Sequence, residues 1–319
     1  MDTETLIIES AERIFSDHVD KALLDKCEQG AFAEALWQQI VDQGFHLLGS
    51  PDSGTEAADL FAFLKICGRF AVPLPMAEVL LANRWMAAKD SVLRSIGIQH
   101  NGGVIDIAWS SHAEWILAVS PDSRIVELHP GQAAQEGLAN LAGEPRGSIA
   151  PPALVQGMLE VEDAPYAQLA LARTCLMAGT LQAVLDLGLQ FASERRQFGR
   201  TISKFQAIQH SLAVVAAEVA AAQRAADAGI DALSSERFLY EVAAAKARVG
   251  EAVGIVAEQV HQVHGAMGFT YEHRLHHFTR RLWAWRDEWG SEFYWQQILG
   301  QQFAALGADR AWDFIATKG

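Results

Sequence analysis

The sequence predicts a mainly α protein with a small β domain between two helical parts. Three observations carry this. Apolar residues recur at helical spacing in both terminal stretches, and a central segment breaks into short β-branched and aromatic runs separated by turn residues. The C-terminal half then holds four long helical segments joined through one strongly charged connection. With 319 residues the chain has room for more than one domain. The expected division is a helical domain over 1–100, a reduced β domain over 101–163 and a four-helix bundle over 164–319.

In the first part, Leu6, Ile7, Ile14, Phe15 and Val19 mark one helical face. Trp37, Ile40, Val41 and Phe45 repeat the pattern before Gly49 and Pro51 interrupt it. A further helical stretch over 56–90 is broken by Pro73 and Pro75. Strands are expected at Val104–Trp109, Trp115–Val119, Ile125–Leu128 and Leu154–Val161, as a small antiparallel unit. From Ala167 to Glu194 charges are so few that a helix there must be buried on most sides. The alanine-rich stretch from Gln206 to Ala228 lets neighbouring helices approach closely. Ser234 or Ser235 is the expected cap of a third long helix ending near His264, with Gly265 as its stop. Trp283, Trp285, Trp289 and Trp295 lie in the fourth helical region, which completes an up-and-down bundle.

Half of the residues are hydrophobic and a fifth are charged, the composition of an ordinary globular chain. Lys and Arg number 25 against 39 Asp and Glu, a formal charge of −14, which argues against general nucleic-acid binding. Cys27, Cys67 and Cys175 match no metal or redox spacing and are expected to pack as small hydrophobes. The first residues carry acids and no apolar signal region. No uninterrupted apolar run reaches the roughly 18 residues of a spanning helix. The expectation is a cytoplasmic protein with no membrane span.

Chemistry concentrates in two segments. Glu194 to Gln206 packs Arg195, Arg196, Arg200 and Lys204 around Gly199, between Phe198 and Phe205. Forked guanidinium donors with aromatic faces suit a diphosphate and its base; a solvated turn with paired charges is the alternative. Gln262 to Gly268 is rich in small residues that admit a ligand to the backbone, although a helix C-cap also accounts for Gly265. No metal site is expected. Glu258 and His261 have the spacing of half a di-iron motif without its second half, and Arg274, Arg280 and Arg281 beside His273, His276 and His277 should repel a cation. There is no nucleophile elbow, Walker loop or H-E-x-x-H motif, and Gly102-Gly103 precedes a strand, so it is no dinucleotide fingerprint.

Taken together, the two segments resemble signatures of the acyl-CoA dehydrogenase family. ERRQFGRTISKFQAIQHSLA is similar to R-x-x-F-G-x-x-I-x-x-F-Q-x-x-Q, and HQVHGAMGFTYEHRL to Q-x-x-G-G-x-G-Y-T-x-E, with Ala266 in place of the second glycine. The resemblance is strongest over 165–305 and looser before it, where GRFAVPLP precedes the β segment. It implies the three-part subunit described above and FAD-dependent desaturation of acyl-CoA thioesters. In that chemistry a carboxylate removes the α proton and the flavin takes the β hydride. It also implies that Arg195, Gln197, Phe198, Ile202, Phe205 and Gln206, with Gln262, Gly265 and Ala266, contact the FAD of a neighbouring subunit.

The chain departs from the family pattern where a subunit serves its own flavin. No T-E-P-x-x-G-S-D type segment occurs between 80 and 160. Where the family places the glutamate of an E-G-T motif, the stretch from Arg286 to Ser291 puts Trp289, which cannot accept a proton. The adjacent Glu288 and Asp287 are the remaining carboxylate candidates, and Gln168–Leu171 on the first bundle helix offers none. The catalytic base is therefore unassigned. The chain resembles the short subunit of heteromeric acyl-CoA dehydrogenases of steroid side-chain degradation, where two different subunits share one FAD site. The expected partners are a homologous subunit in a heterotetramer (a homo-oligomer being the alternative), an acyl-CoA, and an electron-transfer flavoprotein or similar acceptor. The isolated chain is expected to be inactive. A homomeric enzyme using Asp287 or Glu288, and a flavin-free homologue, are the other readings.

Overall fold

The computed structural model describes residues 3–162 and 164–316. The expected domain limits at residues 1, 163 and 319 lie outside the described residues.

Five helices come first: α1 (Thr3–His18), α2 (Lys21–Cys27), α3 (Glu34–Asp42), α4 (Ala57–Phe70) and α5 (Met76–Trp85). Asp20 caps α2 by accepting the Leu23 N–H at 2.8 Å. Glu56 and Asp59 cap α4 reciprocally. The proline pair separates α4 from α5, as expected from the sequence. Phe15, Phe61 and Phe63 are buried between these helices.

A seven-stranded sheet follows: β1 (Arg94–His100), β2 (Gly103–Ala108), β3 (Trp115–Val119), β4 (Ile125–Pro130), β5 (Gln135–Glu136), β6 (Arg146–Ile149) and β7 (Gly157–Glu160). Their order is β5-β6-β2-β1-β3-β4-β7. Two expectations change here. The sheet starts at Arg94, before residue 101, and β6 forms within what reads as a turn-rich separator. The unit is also mixed, because β1 and β3 run parallel while every other pair is antiparallel. The short crossover over 109–114 makes the parallel pairing possible.

The C-terminal part contains α6 (Pro165–Glu194), a hairpin of β8 (Arg196–Gln197) and β9 (Arg200–Thr201), α7 (Gln206–Asp231), α8 (Phe238–His264), α9 (Leu275–Asp287), α10 (Glu292–Leu306) and α11 (Ala308–Ala316). Pro165 opens α6 where its missing N–H is harmless. By length and composition α6 could cross a membrane, but most of it is buried inside the fold. The core is continuous from α1 through the sheet to the bundle. Backbone contact between α4 and α6 depends on two glycines. A Cβ on Gly68 would lie 2.0 Å from the Leu176 carbonyl oxygen, and one on Gly179 would lie 1.8 Å from that of Lys65.

Two bundle details also differ from expectation. The third helix starts at Phe238 rather than at a serine cap, with Ser234 left-handed at φ 62°. The fourth is two helices, broken over 288–291, where Trp289 and Gly290 take φ 56° and 94°. A Cβ on Gly290 would lie 2.6 Å from Trp295 Nε1, so glycine is required there on both counts.

Candidate functional site

At the end of α6 the chain reverses through β8 and β9. Their register pairs Gln197 with Arg200, so Phe198-Gly199 is a two-residue turn with φ 51° and 79°. Positive φ at both positions is the type I′ geometry that suits the twist of a hairpin. This projects Phe198 outward, 91% exposed. Among the described residues the side chains of Arg195, Arg196, Arg200 and Lys204 form no ion pair; Arg200 lies over the Phe205 ring at 4.2 Å. The alternative of a turn with paired charges is thus not what the structure has.

Opposite the hairpin is the C-terminus of α8. A cavity of about 560 Å³ lies between them, lined by Arg195, Gln197, Phe198, Ile202 and Phe205 on one side and by Gln262, His264, Gly265 and Ala266 on the other. Two segments some sixty residues apart thus share one cavity; Gln206 is not in its wall and instead begins α7, and Arg196, Arg200 and Lys204 also lie outside it. Gly265 takes φ 56°, ψ −141°, a conformation restricted to glycine. A Cβ on Gly268 would lie 2.9 Å from that of His264.

His264, which from sequence reads as a packed or solvent-edge histidine, lies in the cavity wall. It is 4% exposed, stacks on Phe191 at 4.3 Å, and its Nδ1 is 2.8 Å from the Val260 carbonyl oxygen. Burial depresses its pKa to about 4, so the ring is neutral at pH 7. Nδ1 therefore donates to that carbonyl, and Nε2 remains an unpartnered buried acceptor. The unpaired guanidinium of Arg195, the amides of Gln197 and Gln262, an exposed aromatic and a buried acceptor form a set of groups that fits a phosphorylated aromatic cofactor such as FAD.

The second cavity, about 500 Å³, lies where the broken fourth helix meets the sheet, and Glu78, Arg146, Arg173, Asp287, Glu288 and Trp289 are among its lining. Its buried charges are paired. Glu288 accepts from Arg146 and Arg173, both at 2.6 Å, and from Asn140 at 3.1 Å. Arg173 also pairs with Glu78, and Arg146 with Glu144 at 3.2 Å. Burial would raise the Glu288 pKa, but the two arginines bring it down to about 2. A carboxylate so stabilised in its ionised form is a poor proton acceptor at neutral pH. Asp287 is exposed at the end of α9.

Trp289 is 4% exposed and packs edge-on against Tyr166 at 5.6 Å. Its carbonyl accepts from Trp295 Nε1 at 3.0 Å. Lys246, 1% exposed, donates to the carbonyls of Arg286 and Gly290 at 2.6 and 2.8 Å and so braces the break from below. Gln168 on α6 accepts from Trp85 Nε1 at 3.1 Å. The corner is an aromatic plug fastened by ion pairs between α5, the sheet, α6 and the loop after α9.

Residues 164–290 match the family described as acyl-CoA dehydrogenase, C-terminal domain. A curated relative, acyl-CoA dehydrogenase IpdE2 of Mycobacterium tuberculosis, is 25% identical over 263 residues, covering 78% of this chain and 80% of that protein. Two solved structures share the fold. One is the ChsE4–ChsE5 complex from Mycobacterium tuberculosis, with TM-score 0.85, 17% identity, and coverage of 97% of this chain and 99% of that one. The other is a variant of the Tcur3481–Tcur3483 steroid ACAD, with TM-score 0.82, 18% identity, and coverage of 95% and 98%.

Proposed function

We propose that this chain, whose residues 164–290 match the acyl-CoA dehydrogenase C-terminal domain and which has an acyl-CoA dehydrogenase fold throughout, is the subunit of a heteromeric acyl-CoA dehydrogenase that completes a partner's FAD site. The observation that carries this reading is the contrast in pairing: the cations of the 195–204 hairpin are free, whereas Glu288 is locked between two arginines.

Arg195 would bind the diphosphate of FAD with forked charged donors, and the amides of Gln197 and Gln262 would hold its remaining acceptors. Phe198 and Phe205 would supply stacking faces, and the neutral His264 would offer an acceptor at the cavity wall. Gly265 and Ala266 keep the wall low enough for close approach, with Ile202 closing the floor and Gln206 lying just outside. FAD supplies hydride acceptance in the desaturation of an acyl-CoA. The α-proton acceptor would come from the partner subunit, because Trp289 offers only a donor and Glu288 is held ionised between two arginines. The assembly is a cytoplasmic heterotetramer that passes electrons to an electron-transfer flavoprotein or similar acceptor.

The test is to purify the chain alone and after co-expression with a homologous subunit carrying the flavin segment and glutamate. Flavin absorbance and acyl-CoA oxidation with an artificial acceptor are measured in each preparation. The expected result is little flavin and no turnover alone, and both in the complex. Turnover by the isolated chain that is lost in Asp287→Asn would overturn the reading in favour of a homomeric enzyme. A complex without flavin would favour a scaffold.

A further inference from the structure

The histidines on α9 sit beside arginines that, in sequence, argue against a cation, yet the fold assigns those arginines elsewhere. Arg281 and Arg280 both donate to Glu28, at 2.7 and 3.1 Å, and Arg274 lies over the Phe278 ring at 5.2 Å. What remains is a cluster of Asp25 on α2 with His276 and His277 on the first turn of α9. One donor atom from each lies within 4.8 Å of the other two.

Both imidazoles have Nδ1 engaged by an oxygen, which leaves Nε2 of each for a ligand bond. His277 Nδ1 is 2.7 Å from Glu28 Oε1, and His276 Nδ1 is 2.7 Å from the carbonyl oxygen of His273. An imidazole that gives its Nδ1 proton to a carboxylate or carbonyl presents Nε2 as a lone pair, which is the outer-shell arrangement of metal-binding histidine. His277 is fully buried and its Nε2 has no hydrogen-bond partner among the described residues. That atom faces Asp25 Oδ1 at 3.2 Å, close to the ligand–ligand edge of a tetrahedron with bonds of roughly 2.0 Å. Lys21 occupies only the other oxygen, Oδ2, at 2.6 Å. Asp25 is partly exposed, so solvent and an ion can reach the cluster.

We propose that Asp25, His276 and His277 form a site for a divalent transition-metal ion, zinc by ligand type, that ties α2 to α9. Two nitrogens and one carboxylate oxygen leave a fourth position for water. The cations Lys21, Arg280 and Arg281 outnumber the carboxylates of Asp25 and Glu28, which sets the expected affinity on the order of micromolar rather than that of a four-ligand structural site.

The chelator-stripped full chain is titrated with zinc by calorimetry, and with cobalt to read the visible bands of a tetrahedral site. One equivalent of zinc should bind and raise the melting temperature, and both effects should vanish in His276→Ala and in Asp25→Asn. These positions are partly exposed, so both variants should fold, which circular dichroism checks; His112→Gln serves as the control that leaves binding unchanged. The competing arrangement is a protonated His277 bridging Asp25 and Glu28 without metal. Absence of zinc binding in the wild-type chain, or binding that persists in both variants, overturns the proposal.

Discussion

The hairpin edge and the Glu288 corner lie in the same bundle and carry similar residue types, yet they have opposite pairing. At the edge, Arg195 and the amides of Gln197 and Gln262 face a cavity with no ion-pair partner among the described residues. At the corner, Arg146, Arg173, Glu78, Glu144 and Glu288 satisfy one another across four elements. Free ionic groups are tolerated where they remain solvated until something binds, whereas ionic groups taken out of water must be paired. The difference separates a surface that awaits a ligand from a corner given over to holding the fold together.

Removing one member from each region should therefore break different properties. Arg173→Leu strands Glu78 and Glu288 together and should destabilise the chain by about 3–5 kcal/mol in denaturant unfolding, the usual range for a buried pair that loses a partner. Equal stability would mean that the corner is less desolvated than its 4% exposed Arg173 indicates. Arg195→Ala should leave that unfolding curve unmoved and weaken FAD retention by the assembled complex by about 2–3 kcal/mol, as for a charge-assisted hydrogen bond. Unchanged flavin content would remove Arg195 from the cofactor site.

Acid separates the regions next. His264 has a folded pKa lowered from 6.5 to about 4 because the fold favours its neutral form. Its stability contribution is complete above pH 6.5 and is lost as pH falls towards 4. Glu288 is lowered from 4.5 to about 2, so its contribution is complete above pH 4.5 and is lost as pH falls towards 2, a window it shares with Glu28. His264→Gln should flatten the upper window and Glu288→Gln the lower one, read from melting temperature against pH. Interchanged effects would contradict the assignment of charge states. The smallest effect belongs to Arg200→Ala, which removes one exposed cation–π contact and should change flavin retention by roughly 0.5–1 kcal/mol.

Much of this was legible in the sequence, and the gaps have physical reasons. The proline break and the bundle helices followed from local patterning, whereas the pairing of the two motif segments came only from the family resemblance. Strand β1 was missed although Asn101-Gly102, the two-residue turn to β2 with φ 49° and 78°, is a strong hairpin signal. The break at 288–291 was missed because tryptophan is an unusual residue for a left-handed conformation. The ion network joins residues 78, 146, 173 and 288, a pairing no periodicity encodes. One clue was available: Arg173 is a lone cation in a helix otherwise almost free of charge, and such a group needs a buried partner. The histidine cluster shows a related limit: Arg280 and Arg281 are its neighbours in sequence, but only the fold shows that both pair with Glu28, a residue of the first part of the chain.

The crossing of α4 and α6 at Gly68 and Gly179 has a mechanical consequence. Thr180 adds a hydrogen bond to the Gly68 carbonyl at 2.9 Å, so the two backbones meet with no side-chain layer to act as a bearing. Helices separated by side chains can slide by small repacking steps, whereas helices in backbone contact cannot. The N-terminal layer and the bundle should therefore move as one body, and amide protons in the centres of α4 and α6 should exchange with solvent only when the whole subunit opens.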